Sequence, residues 1–286
     1  MESSHSRPPG GMRPVRPISP PAPYMGGKRN LAKRLVEMID GVDHVTYAEV
    51  FVGMGGVFLR RTLRPQAEVI NDISRDVSNL FRILQRHYPQ FLETLKFQIT
   101  SRAEFERLCN VDPDTLTDFE RAARFVYLQR TAFGGKIVGR NFGISIGNPG
   151  SVNMNRLGPI FEALHDRLAE VIIERLDWAE FVARYDSPQT LFYLDPPYAG
   201  CEEDYGKGIF APADFARIAE RLGGIKGQFI LSVNDRPAMR ECFAGFNIAS
   251  VKTTYTLPEA GAGHIEAGEL IVSNLDPSRS RQGRLV

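Results

Sequence analysis

At 286 residues, 43% hydrophobic and 24% charged, the chain has room for one large α/β domain carrying an insertion, and its composition is that of a globular protein. A net charge of +1 excludes a polycation, so any nucleic-acid surface must be local. No apolar run approaches the ~18 residues of a membrane span, no signal-peptide core is evident, and Cys109, Cys201 and Cys242 lie far apart without ligand spacing; a cytoplasmic protein with reduced thiols and no bound metal is expected.

Residues 1–23 hold seven prolines and three arginines among few large apolar side chains, a composition that predicts a disordered tail over 1–22. Tyr24-Met25-Gly26-Gly27-Lys28 then leads into an amphipathic helix with Leu31, Leu35 and Ile39 on its apolar face. His44–Val50 reads as a strand, and Phe51–Leu59 as a glycine-rich turn entering a helix, where Gly53, Gly55 and Gly56 let backbone approach a ligand. A short strand near Glu68–Ile70 ends in Asn71-Asp72. Asp72 lies 17 residues after Gly55, close to the spacing at which an acid at the end of a second strand grips a ribose. The glycines are spaced GxGG rather than GxGxxG, which argues for a ligand with a ribose and no diphosphate.

Ser74–Tyr88 reads as a helix ended by Pro89. Strand-helix alternation then lapses until about Asp166, predicting an inserted, mainly helical subdomain over 89–166 between the two parts of a catalytic domain, 23–88 and 167–275. The insert opens acidic, with Glu104, Glu106, Asp112, Asp114, Asp118 and Glu120. From Arg121 to Ile160 the sign reverses: six basic residues and no acid. Arg124, Arg130, Lys136 and Arg140, interleaved with Asn141 and Phe133 on a glycine-rich stretch, are the residue types that phosphate and base-edge contacts require.

Ala169–Glu174 returns to strand character and is followed by Asp177-Trp178, an acid and an aromatic suited to an adenine, although a core Trp fits equally well. Leu191–Leu194 is a short apolar strand that stops at Asp195-Pro196-Pro197-Tyr198. Ligands of open α/β sheets bind beyond the carboxyl ends of such strands. The prolines lack N–H groups and fix extended backbone, so the turn offers carbonyls and one carboxylate, an acceptor surface for an amine. Tyr198 adds a flat face. Phe210–Leu222 reads as a helix and Gln228–Val233 as a strand. A last pair near Val251–Thr256 and Glu269–Ser273 flanks a flexible loop over Glu259–His264, and a loose tail follows from Asp276. An enzyme directing another amine, a non-catalytic binder and, last, a nicotinamide dehydrogenase remain as alternatives.

In this order the motifs resemble those of the Dam-type, alpha-group DNA adenine-N6 methyltransferases over about Tyr24–Asn274. The matching elements are Tyr24–Lys28, Glu49–Phe58 with Val50 where Pro is usual, Asn71-Asp72, Leu128–Gly135 with Gly134 where Asn is usual, Asp177-Trp178, Asp195–Tyr198 and Glu269–Asn274. The loop before Glu269 departs, with His264 and Ile265 where an Arg is expected. The resemblance implies a Rossmann-like S-adenosylmethionine-dependent methyltransferase sheet and S-adenosyl-L-methionine as cofactor. It places the ribose on Asp72, the adenine near Asp177 and Trp178, and the methionine end near Tyr24, Lys28 and the loop of Glu49, Gly53 and Gly55. It also implies a flipped adenine of double-stranded DNA held by Tyr198, with Asp195 and the Pro196 carbonyl accepting its amino hydrogens. No metal is implied, and a monomer on DNA is expected.

Overall fold

The computed structural model describes residues 11–26, 28, 31–143, 147, 149–202, 206, 208–256 and 264–276. In chain order the elements are β1 (Arg13–Pro14), α1 (Ala32–Asp40), β2 (Thr46–Glu49), β3 (Leu63–Arg64), β4 (Ala67–Asn71), α2 (Arg75–Arg86), α3 (Tyr88–Leu95), α4 (Arg102–Asn110), α5 (Asp118–Thr131), α6 (Met154–Leu168), β5 (Ile172–Glu174), α7 (Trp178–Tyr185), β6 (Thr190–Leu194), α8 (Pro212–Gly223), β7 (Gln228–Asn234), α9 (Pro237–Cys242), β8 (Asn247–Thr256) and β9 (His264–Ser273). One mixed sheet runs β5-β4-β2-β6-β7-β9-β8, and β6 is its central strand. β5, β4, β2, β6 and β7 are mutually parallel, and β9 is antiparallel to both β7 and β8.

Strand alternation divides the core between the two faces of the sheet. Tyr47, Ile70, Leu191, Tyr193, Ile230 and Ile271 pack on one face with α1, α2 and the helices that follow α2. Val50, Val69, Phe192, Leu194, Phe229 and Leu231 pack on the other with α7 and α8. β6 is buried at every position and, after Thr190, consists of Leu, Phe and Tyr, as suits a strand covered on both faces.

The expected insert is helical, and it is not a separate body. Phe91 of α3, Phe125 of α5 and Phe161 of α6 share one core with Leu80, Phe81 and Leu84 of α2. A smaller cluster of Phe105, Leu108, Tyr127, Leu128 and Ala132 holds α4 against α5. A capping box at Thr117 and Glu120 starts α5.

Three expectations are corrected. Residues 11–22 are not a loose tail: β1 pairs with β3, Val15 and Ile18 donate to the carbonyls of Thr62 and Leu59 at 2.9 and 2.8 Å, and Met12 and Ala22 are buried. The prolines pre-set this segment as an extended strap whose carbonyls remain free to accept. The glycine loop enters a single 3-10 turn, Phe58–Arg60, rather than a longer helix. Pro89 opens α3 at its first turn, where a missing N–H is harmless, and so marks the start of a helix as well as the end of α2. Residues 1–10 and 277–286 of the expected tails, and Glu259–Gly263 of the expected loop, lie outside the described residues.

Beneath the sheet, Glu68 of β4 is wholly buried and accepts from Arg61 at 2.8 Å and from both terminal nitrogens of Arg167 at 2.6 and 2.7 Å. The guanidinium of Arg61 lies 3.8 Å from the Tyr47 ring centroid and that of Arg167 lies 4.1 Å from that of Phe58. One carboxylate thus ties β4 to the segment after the glycine loop and to α6. Glu68→Gln leaves buried Arg167 without its counter-charge and Arg61 with only Asp40 at 3.9 Å, and a loss of about 3–5 kcal/mol is expected in urea unfolding; a midpoint unchanged from wild type would remove this network from the account of stability.

Candidate active site

The chain leaves β2 for β4 and β5 on one side, then returns to β6 on the other, so β2 and β6 flank the topological switch point. Side chains at their carboxyl ends face a crevice that the sheet cannot fill. Glu49 ends β2, Asp72 follows β4 and Asp195 follows β6. All three line one cavity of about 660 Å³, together with Tyr24, Lys28, Gly53, Asp177, Trp178 and Pro197. The cavity is of the size and mixed polarity expected for a small-molecule site.

At one end, the Asp72 carboxylate accepts from the Gly53 and Ser74 amides, each at 2.9 Å. Burial pushes its pKa up to about 6 against the pull of those two donors. Gly53 sits at φ +51°, and a Cβ there would lie 2.9 Å from the Tyr24 ring. Gly55, at φ +74°, turns the loop but packs toward Leu59 rather than lining the cavity. Asp177 caps α7 by accepting from Ala179 at 2.9 Å, which presents the buried Trp178 beside it. Arg217 approaches that ring, its guanidinium 5.2 Å from the ring centroid.

At the other end, Lys28 is buried and its ammonium stands 3.0 Å from Asp195 Oδ1 and 3.1 Å from Glu269 Oε2. Tyr198 donates its hydroxyl to Glu269 Oε1 at 2.6 Å and also receives a hydrogen bond from Lys28. Ser232 of β7 donates to Asp195 Oδ1 at 3.2 Å and is itself 2.8 Å from the Tyr193 hydroxyl. Burial raises Asp195 to about 6, opposed chiefly by Lys28. Asn234 brackets the turn, accepting from the Ala199 amide at 3.0 Å and donating to its carbonyl at 3.1 Å. Glu49 accepts from Tyr47 at 2.6 Å, and burial pushes it up to about 8. Among the described residues, no group of three or more His, Cys, Asp or Glu side chains is placed to hold a metal ion, and no helix is long and apolar enough to cross a membrane.

The residues expected to touch DNA divide. Phe133, Lys136 and Asn141 are exposed on one loop, closed by hydrogen bonds from Phe133 to the Asn141 carbonyl at 2.8 Å and from Gly143 to the Thr131 carbonyl at 2.7 Å. Arg124 does not join them: it is buried and donates to the Leu108 carbonyl at 2.8 Å. Arg130 donates to the Pro21 and Ser151 carbonyls at 2.7 and 2.9 Å and lines the cavity, and Arg140 donates to Gln129 at 3.1 Å. Burial lowers the pKa of all three. These guanidiniums tie carbonyls and an amide of different segments together, a use that a charge count does not distinguish from phosphate binding.

Sequence reasoning missed Glu269, Ser232 and the apolar wall of Phe51, Ile73, Ile209 and Phe210. Glu269 had a signal: it is the acid that opens the apolar run of β9. The antiparallel register sets it opposite Asn234, at the carboxyl end of β7.

Residues 24–257 match the family model of the D12 class N6 adenine-specific DNA methyltransferases. The chain is 27% identical over 278 residues to the Type II methyltransferase M1.LlaDCHI of Lactococcus lactis subsp. cremoris, covering 90% of this chain and 95% of that one. It is 23% identical over 233 residues to the Type II methyltransferase M.CviBI of Paramecium bursaria Chlorella virus NC1A, with 80% and 88% covered. It is 22% identical over 246 residues to a DNA adenine methylase of Haemophilus influenzae, with 78% and 82% covered. The sheet, the cavity at its switch point and this match over most of the chain agree, and the chain belongs to the D12 class N6 adenine-specific DNA methyltransferases.

Proposed function

We propose that the cavity binds S-adenosyl-L-methionine and that the Asp195–Tyr198 turn receives an adenine flipped out of double-stranded DNA in the cytoplasm. The observation that carries this reading is the continuity of one cavity from Asp72 and Trp178 to Asp195. A nucleoside fits the first end: the Asp72 oxygens, already bound to two amides, have remaining lone pairs for ribose hydroxyls, and Asp177, Trp178 and Ile73 line the same cavity. Gly53 lets the backbone approach, and Tyr24 and Glu49 stand toward the amino-acid end. When bound, this cofactor supplies a methyl group on a sulfonium that leaves as a neutral thioether.

The work of the chain is then positioning. A duplex buries the adenine amino group, so the base is extruded and held against Tyr198. Asp195 and the Pro196 carbonyl accept the two amino hydrogens and aim the nitrogen lone pair at the methyl group. During the transfer positive charge would develop on the amine nitrogen, where the Asp195 carboxylate would stabilise it and hold the amino proton that is then lost to solvent, leaving N6-methyladenine. A pKa of about 6 keeps that carboxylate ionised at neutral pH. Phe133, Lys136 and Asn141 present the DNA-facing loop.

Transfer of labelled methyl groups to unmethylated genomic DNA, followed by nucleoside analysis, tests the reading. N6-methyladenine is expected; N4-methylcytosine would move the acceptor, and no transfer would refute it. Asp195→Ala should lose at least about a hundredfold in transfer rate while still binding cofactor. Lys136→Ala should weaken DNA binding and reduce the slope of log affinity against log salt by about one, whereas Arg124→Gln should leave the slope unchanged. An unaltered slope in the Lys136 variant would take this loop off the phosphate backbone.

Glu49 yields a pH prediction for the ligand-free protein. The folded carboxyl keeps its proton up to about pH 8, against an ordinary value of 4.5, so the folded state binds more protons than the unfolded state in that window. Stability therefore falls as pH rises through it. Asp72 and Asp195 add the same sign only up to about 6. Glu49→Gln should flatten the fall in urea midpoint between about pH 6 and 8, and an equally steep fall in that variant would assign the dependence elsewhere.

A further inference from the structure

Glu269 has no part in the reading above, although it is 1% exposed and contacts two residues of the acceptor turn's surroundings. The Lys28 ammonium lies between two carboxylates, 3.0 Å from Asp195 Oδ1 and 3.1 Å from Glu269 Oε2. Ser232 also acts on Oδ1, at 3.2 Å. Both protein donors thus meet the same Asp195 oxygen, and Oδ2 has no protein donor among the described residues. An ammonium that answered to Asp195 alone would be free to move across both of its oxygens, covering the acceptor. The second oxygen of Glu269 meanwhile accepts from the Tyr198 hydroxyl at 2.6 Å, and the Tyr198 ring centroid lies 4.1 Å from the Lys28 nitrogen.

We propose that Glu269 is a positioning residue for methyl transfer: it anchors Lys28 on Asp195 Oδ1, leaves Oδ2 for the adenine amine, and fixes the Tyr198 ring against which the base rests. This rests on the assignment of Asp195 as the amine acceptor. The groups facing Asp195 are Lys28, Ser232 and Tyr193, with Glu269, Glu49 and Tyr198 just beyond. Removing the negative charge of Glu269 favours the ionised form of Asp195, and removing the positive charge of Lys28 disfavours it. The two substitutions therefore move the acid limb of the rate in opposite directions, which loosened packing at a shared site does not do.

The test is single-turnover methyl transfer to adenine-containing DNA across pH, with cofactor affinity measured alongside. Glu269→Gln should shift the acid limb to lower pH and reduce the plateau rate about tenfold, with cofactor affinity within about twofold of wild type. Glu269→Asp should keep the limb in place. Lys28→Met should move the limb to higher pH, and it carries the test if the glutamine variant does not fold. A limb that stays fixed in Lys28→Met, or a wild-type plateau in Glu269→Gln, overturns the proposal. A wild-type enzyme that transfers no methyl group to adenine would instead sink the assignment on which the proposal rests, and the proposal with it.

Discussion

The parallel pairing of β2 with both β4 and β6 is the constraint on which the rest of the structure depends. Because β2 has a neighbour on each side that the chain reaches in opposite directions, its carboxyl end opens into a crevice with Glu49 at the centre, Asp72 on one flank and Asp195 on the other. The pairing sets Glu49 beside Tyr193 and Ile70, so Asp72 and Asp195 each emerge two residues beyond the level of Glu49. Alternation between the two cores holds this arrangement, since a one-residue slip would reverse which of Phe192 and Tyr193 meets each core. Glu68, with Arg61 and Arg167, secures the opposite end of β4.

Around that crevice the remaining walls come from segments distant in the chain. The strap of residues 11–24 is hydrogen-bonded to the segment after the glycine loop and, through Pro21 and Pro23, to Arg130 and Gln129 of α5. Gln129 is fully buried and also donates to the Gly135 carbonyl, while its oxygen accepts from Arg140. A Cβ on Gly135 would lie 2.9 Å from the backbone of Pro23, so the exposed loop and the cavity wall are in backbone contact. The helices after α2 are therefore part of the cavity's construction as well as the support of the exposed loop of Phe133, Lys136 and Asn141.

The strands, the order of the motifs and most of the cavity residues were legible in the sequence because each carries a local signal. Asp195 ends an apolar run, Asp72 follows a strand at a ribose-binding interval, and Gly53 stands where a Cβ would strike Tyr24. The strap was not legible, because its stability comes from backbone hydrogen bonds, donated to Thr62 and Leu59 and accepted from Arg130, with residues far along the chain rather than from its composition. The arginines of α5 misled for a related reason. A guanidinium that bonds a buried carbonyl and one that bonds a phosphate are identical in sequence, and only the depth of the helix separates Arg124 from Lys136. Glu269 lay hidden because its partners, Lys28 and Tyr198, are 241 and 71 residues away.

Charge around Asp195 suits the proposed donor. Asp72 and Asp195, each raised to about 6, are anionic at neutral pH. Lys28 offsets only one of the pair formed by Asp195 and Glu269, while Arg60 and Arg130 keep their charge but direct it at the carbonyls of Gly56, Pro21 and Ser151. Glu49, raised to about 8, holds its proton in a neutral cavity and would release it beside a cation. A sulfonium with an adjacent ammonium meets attraction at both positions, and the attraction at sulfur disappears once the methyl group has left. On the proposed function, the carboxylates that would orient the amine would also favour release of the neutral thioether product.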